Sequence, residues 1–231
     1  MKKLKSILIG ILIPISCAFS YDSSDFQSWN NILIMGNFSK LDEKYSGLRY
    51  ELFISQRFGN STSLSYQSVY RGGLGYSLNS HHSLWLGGDY VFTKNLIPEE
   101  INRSGIWQQY LYENNYSKLK YFFRARLEQL FASNASYLIY RARVMVRGSI
   151  PISEDMKYNA IAFNEYFQNL NGDGVIENNT LIQNRAFAGL GYNFTKTTSL
   201  EVGYQNQYIH NNQGFDFLNN MVLASLVLNF N

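Results

Sequence analysis

The stretch Lys118–Phe131, KLKYFFRARLEQLF, decides how this chain is read. Leu119, Tyr121, Phe123, Ala125, Leu127 and Phe131 fall on one side of a two-residue repeat, and Lys118, Lys120, Arg124, Arg126 and Glu128 fall on the other. Successive side chains alternate across a strand but not around a helix, so the stretch reads as a β-strand with one apolar and one charged face. The next segment repeats it: Leu138, Tyr140, Ala142, Val144 and Val146 oppose Arg141, Arg143 and Arg147. Further upstream, Leu84, Leu86, Gly88, Tyr90 and Phe92 oppose Ser83, Trp85, Gly87, Asp89 and Thr93. Leu64, Tyr66, Tyr70, Leu74, Tyr76 and Leu78 likewise oppose Ser65, Gln67, Arg71 and Ser77.

The composition of the two faces matters more than the alternation. A soluble sandwich turns its polar face to bulk water and fills it with Lys and Glu. Here the polar faces carry Arg, Gln, Asn, Ser and Gly, and the apolar faces carry Leu and aromatics. That suits a closed barrel with lipid outside and a polar lumen, which leaves no strand edge unpaired in a membrane. The expected fold class is all-β: a transmembrane antiparallel barrel of about 10–12 strands, of outer-membrane type. A soluble exported binding barrel is the rival reading.

The N-terminus, MKKLKSILIGILIPISCAFS, has a basic start, a short apolar core and small residues Ala18 and Ser20 before Tyr21. It reads as a secretory signal over 1–20, leaving a single barrel domain over 21–231. Removing it takes three lysines and the one cysteine, Cys17, and leaves 17 basic against 17 acidic residues. The mature chain is therefore neutral and carries no nucleic-acid signature. A full sequence with 18 Tyr, 16 Phe and three Pro, exported and cysteine-free once cleaved, points to the cell outer membrane of a Gram-negative envelope. The expected partners are outer-membrane lipid and lipopolysaccharide, with the barrel-assembly machinery during biogenesis.

Eleven candidate strands lie near 26–38, 47–58, 62–78, 82–94, 104–114, 118–131, 137–149, 156–169, 181–194, 198–210 and 218–231. Bacterial single-chain barrels usually have an even number. The first segment is then not a wall strand, giving ten, or one join is miscounted, giving twelve. Joins at 95–103, 170–180 and 211–217 are the longer ones and are expected outside the cell. The phrase Gly73-Leu74-Gly75-Tyr76 recurs as Gly189-Leu190-Gly191-Tyr192, followed in both copies by Ser-Leu and a glycine, Gly87 or Gly203. Both copies straddle short joins, which reads as two equivalent periplasmic hairpins with the C-terminus on the same side.

Catalytic candidates are few. His210 lies near the loop holding Asp216, and such a pair activates water or a serine in some enzymes. A polar rim residue beside a loop acid is the plainer reading, so no catalytic residue is assigned. Asn169, Asn171, Asp173 and Gly174 have part of a calcium-loop spacing, but Thr180 stands where a bidentate acid belongs. No metal or cofactor is expected. The distinctive set is the inner face: Arg49, Glu51, Arg57, Arg71, Asp89, Arg124, Arg126, Glu128, Arg141, Arg143, Arg147, Glu165, Arg185 and Glu201. Two readings fit it: ladders of Arg and carboxylate that fill a rigid lumen, or a narrow pore whose surplus Arg favours anions.

The phrases SLWLGGDY, IWQQYLY, RARLEQLF, NEYFQNLN, QNRAFAGLGY and EVGYQNQYIH occur in that order. Together they closely resemble the bacterial family catalogued as domain of unknown function 2490, over most of the chain from Phe26. The resemblance implies an outer-membrane barrel and brings no catalytic residues. Its polar members add Gln183, Gln205 and Gln207 to the lumen set. They also include Gln108 and Gln109, which cannot both face inward in a regular strand, so a bulge is expected there. The functional expectation is a narrow small-solute pore or a largely closed structural barrel. An outer-membrane enzyme with a rim site near His210, acting on lipid or peptide, is the alternative.

Overall fold

The computed structural model describes residues 23–39, 41–94, 101–133, 135, 137–172, 181–211 and 216–230. The expected signal segment and Asp173–Thr180 of the calcium-like stretch lie outside these. Eleven strands follow one another: β1 (Ser23–Asn37), β2 (Leu48–Gly59), β3 (Leu64–Ser77), β4 (His82–Thr93), β5 (Ile101–Tyr116) and β6 (Leu119–Ala132). β7 (Ile139–Pro151), β8 (Tyr158–Asn169), β9 (Leu181–Asn193), β10 (Thr198–Asn211) and β11 (Asp216–Phe230) complete the set. No helix among the described residues is long and apolar enough to cross a membrane.

The strands form one closed barrel in sequence order. The expectation of an even count gives way here, because the first segment is a full wall strand. With eleven strands the first and last run the same way, and β1 closes on β11 as a parallel ladder from Ser23–Phe217 to Gly36–Phe230. Every other neighbouring pair is antiparallel. Parallel pairing satisfies the same backbone groups, so closure does not require even parity.

The ladder can be followed from Asn37 through Arg49, Gly75, Trp85, Gln109, Arg126, Arg143, Phe167, Gln183, Ile209 and Phe217 back to β1. It returns at Ser23, fourteen residues from where it left. That stagger makes the strands tilt, by roughly 35–45° in such barrels. It also lays successive inward residues at rising heights, so the lumen is filled as a spiral.

One end of the barrel holds the joins 78–81, 117–118, 152–157 and 194–197, with a longer join at 38–47 that includes a 3-10 turn, Glu43–Tyr45. This is the turn end. In its 152–157 join, the Ser153 hydroxyl and the Lys157 N–H hold the Asp155 carboxyl below its ordinary range. The opposite, loop end holds 60–63 and the joins after β4, β6, β8 and β10. There Asn60, Ser61 and Thr62 take left-handed backbone conformations, with φ of 50°, 55° and 68°. Asp25 of β1 accepts the Asn60 and Ser61 N–H groups at 3.1 Å each, holding that turn.

The outward face is apolar. Ile32, Leu52, Leu74, Leu86, Leu190 and Val202 are among its exposed side chains. Toward the turn end stand Tyr50, Tyr76, Tyr112, Tyr121, Tyr158 and Tyr192, and toward the loop end Phe26, Tyr90, Phe131, Tyr140 and Tyr166. The polar exceptions satisfy one another. Gln108 and Gln129 exchange two amide bonds at 3.0 and 3.1 Å, and Asn164 and Asn184 exchange two at 3.2 and 2.9 Å. The expected bulge at Gln108–Gln109 is absent. The register is regular there, with Gln109 inside on Arg126 and Gln108 outside on Gln129. A register shift occurs instead at Arg57–Phe58.

The doubled glycine phrase has a packing cause. Gly73 of β3 and Gly87 of β4 are cross-strand partners facing inward, and a Cβ on either would strike the Trp107 ring. Gly189 of β9 and Gly203 of β10 are partners in the same way, and there the ring is Phe187. Each copy of the phrase clears a patch of bare backbone on which one aromatic ring packs.

Candidate functional site in the barrel lumen

All ten arginines of the chain lie on inward positions, while the described lysines lie in joins or near strand ends. The planar guanidinium explains the choice: it stacks on aromatic rings and pairs with carboxylates in fixed geometry, where an ammonium keeps its water. The nine arginines of the sequence-derived set lie on the inner wall, as do Glu51, Asp89, Glu128, Glu165, Glu201, Gln183, Gln205 and Gln207.

At the turn end the ion pairs cross the barrel. Arg49 of β2 donates to Glu113 of β5 at 2.6 Å, and Arg147 of β7 to Glu201 of β10 at 2.7 Å. Each skips two intervening strands, so each ties together parts of the wall that are not neighbours.

The middle is a packed node. Glu128 accepts from Arg141 on one carboxylate oxygen and from Arg143 on the other, and Arg143 donates onward to Glu165 at 2.7 Å. Arg124 donates to the same Glu165 oxygen at 2.6 Å. Arg126 is held by Gln109, lies 3.6 Å from Glu51 across the lumen, and sits 4.0 Å from the Trp107 ring centroid. Arg143 is likewise 4.4 Å from the Phe167 ring. Trp107, Glu128 and Met221 have no accessible surface at all. Such a network is costly to bury and costlier to break: removing one partner strands a charge, at about 3–5 kcal/mol.

Toward the loop end the balance changes. Arg57 lies over Trp29 at 3.8 Å and hydrogen-bonds Gln67. Arg185 lies 4.9 Å from the same Trp29 ring and 4.6 Å from Phe167. With the Gln183 amide oxygen turned toward it, Gln183 accepts from Arg185 at 2.7 and 2.8 Å and from Gln207 at 2.8 Å. Among the described residues neither arginine forms an ion pair within 4 Å, although Glu165 is the cross-strand register partner of Arg185. Gln205 donates to the Met221 sulfur at 3.0 Å. Above this layer a cavity of about 280 Å³ is bounded by Arg103, Arg141, Gln67, Asn169 and Gln183 with an apolar rim.

The outward rim holds the histidine of the enzyme alternative. His210 Nδ1 and Asp216 Oδ1 are 2.6 Å apart, and the Tyr208 hydroxyl donates to the other Asp216 oxygen at 2.6 Å. His210 and Asp216 are register partners, so their bond pins the mouth of the β10–β11 hairpin. His81 and His82 are occupied by the Glu113 carbonyl and the Tyr110 hydroxyl. Among the described residues no group of three or more His, Cys, Asp or Glu is arranged to hold a metal.

The model of the family described as Protein of unknown function (DUF2490) matches residues 26–219, from early β1 into β11. The chain belongs to this family. An uncharacterised protein of Methylorubrum extorquens is 25% identical over 185 residues, which is 79% of this chain and 78% of that protein. No solved structure matches the chain.

In this DUF2490 barrel the inward set is wider than sequence alternation alone supplied. Arg103 and Glu113 belong to it: Arg103 because β5 starts at Ile101 and not at 104, and Glu113 because it already lay on the inward parity of the expected segment. Both share the parity of Trp107 and Gln109, so alternation along the full strand recovers them.

Proposed function

We propose that this DUF2490 chain is an integral outer-membrane barrel whose lumen is closed across its middle, so that it serves as a fixed envelope barrel and not as a conduit. The carrying observation is the node of Glu128, Arg141, Arg143 and Glu165 packed with Trp107 and Phe167, whose members have almost no accessible surface. A pore of anion-selective type needs arginines free to meet a passing ion. Here Arg126 and Arg143 are bound on several sides by carboxylate, amide and ring.

Membrane placement draws on the outward face: aliphatic side chains between two aromatic zones, with amides paired to each other. That face meets outer-membrane lipid and lipopolysaccharide, and it counts against a soluble exported barrel. β11, the strand that closes the barrel, is the segment offered to the assembly machinery. The His210–Asp216 pair is read as a hairpin clamp, so no catalysis is assigned to it. Reconstituted, folded protein tested for conductance decides between the sealed and porous readings: the proposal expects none.

A further inference from the structure

We propose that the loop-end cavity is a dead-end site for a small organic anion, a carboxylate or phosphate on a partly apolar body, gripped by Arg103. This rests on the sealed reading, since a site that ends on the central node holds its ligand where a conduit would pass it on.

Arg103 differs from every other inward arginine. It has no hydrogen bond or ion pair among the described residues, and its Nε is buried without a partner. The two carboxylates whose charge acts on it, Asp89 and Glu128, form no ion pair with it: Asp89 turns Oδ2 to Arg71 at 3.4 Å and leaves Oδ1 without a hydrogen-bond partner, and Glu128 serves Arg141 and Arg143. Arg57 and Arg185 also form no ion pair within 4 Å, but both stack on Trp29 and bind amides, and Arg185 has Glu165 as its cross-strand partner. Arg103 has neither kind of support. Only its Nε is among the buried atoms, so Nη1 and Nη2 stay accessible and unbonded, and their planar fork can donate to both oxygens of a carboxylate or phosphate.

The rest of the cavity fits the same ligand. Arg141 bounds it with Nε and Nη2 committed to Glu128, leaving Nη1 on its other edge. Asn169 is 7% exposed and its Oδ1 has no partner, so it can accept from a ligand hydroxyl or amide. Leu130, Ile139 and Ile209 supply apolar lining beside these groups. A volume of about 280 Å³ holds a body of sugar-phosphate or short-chain-acid size and excludes a polymer.

The test is isothermal titration of the full mature protein, refolded in detergent at low salt, with glycerol 3-phosphate, hexanoate and inorganic phosphate. Glycerol and hexanol serve as uncharged controls. The expected result is saturable binding of at least one anionic probe and of neither control. Arg103→Gln, checked for folding by heat-modifiable gel mobility, weakens that binding at least tenfold, while Lys157→Gln at the opposite end leaves it unchanged. If Arg103→Gln fails to fold, competition by 0.5 M salt on the wild type is the second readout, and binding is expected to fall at least tenfold. No binding by any anionic probe, or equal binding by folded Arg103→Gln, overturns the site. Conductance on the same preparation separates the two proposals: anion binding with conductance upholds the site and overturns the seal.

Discussion

Arg126 holds its guanidinium 4.0 Å from the centroid of the Trp107 ring, on the inner wall where β5 and β6 pair. Trp107 in turn packs on the bare backbone of Gly73 and Gly87. Glycine pair, ring and cation form a stack projecting into the lumen, and the Glu128 node completes it.

Trp107→Ala removes the middle of that stack. The expected loss is about 3–5 kcal/mol of stability, the range for large aromatics cut from a packed interior. Urea unfolding followed by gel mobility measures it. Gly87→Val tests the other side, because the added side chain enters the space of the ring and of the Gly72 carbonyl. Folded yield should fall sharply.

Glu128→Gln leaves Arg141 without its counter-charge and Arg143 with one carboxylate, Glu165, in place of two. A loss of about 3–5 kcal/mol is expected. A double-mutant cycle with Arg141→Gln should recover part of it, since removing both partners strands less charge. Additive losses would mean that the two residues do not interact in the folded barrel.

Cysteine labelling reads the orientation. Ser61→Cys lies at the loop end and Lys196→Cys at the turn end. In intact cells an impermeant maleimide should modify Ser61→Cys, and should reach Lys196→Cys only after permeabilisation. The reverse pattern would turn the barrel over.

His210→Ala separates the rim clamp from rim chemistry. As a clamp it should cost about 1 kcal/mol or less of stability and leave lipid composition and proteolysis profiles unchanged. A changed profile with a normally folded variant would make His210 a reactive group.

The wall of the barrel was legible because each strand writes its two faces into alternate letters. Lys118–Phe131 and the segment after it were enough to separate inside from outside. Strand parity was not legible: nothing in Ser23–Asn37 distinguishes a strand that pairs in parallel with the last one from a strand that does not pair at all. The glycine repeat was visible as a pattern, but its purpose was not, since Trp107 lies on a different strand from Gly73 and Gly87. Inward positions of the arginines followed from alternation, whereas their partners did not. Arg49 meets Glu113 across 64 residues and Arg147 meets Glu201 across 54, distances that only closure makes short. Arg103 was lost by a strand boundary drawn three residues late.

The most direct measurement is planar-bilayer recording of the refolded wild-type protein, with folding verified on the same sample by heat-modifiable mobility. The sealed lumen predicts a flat baseline at every applied voltage. Stepwise conductance from the folded fraction, altered by Arg126→Glu or Arg143→Glu, would contradict it.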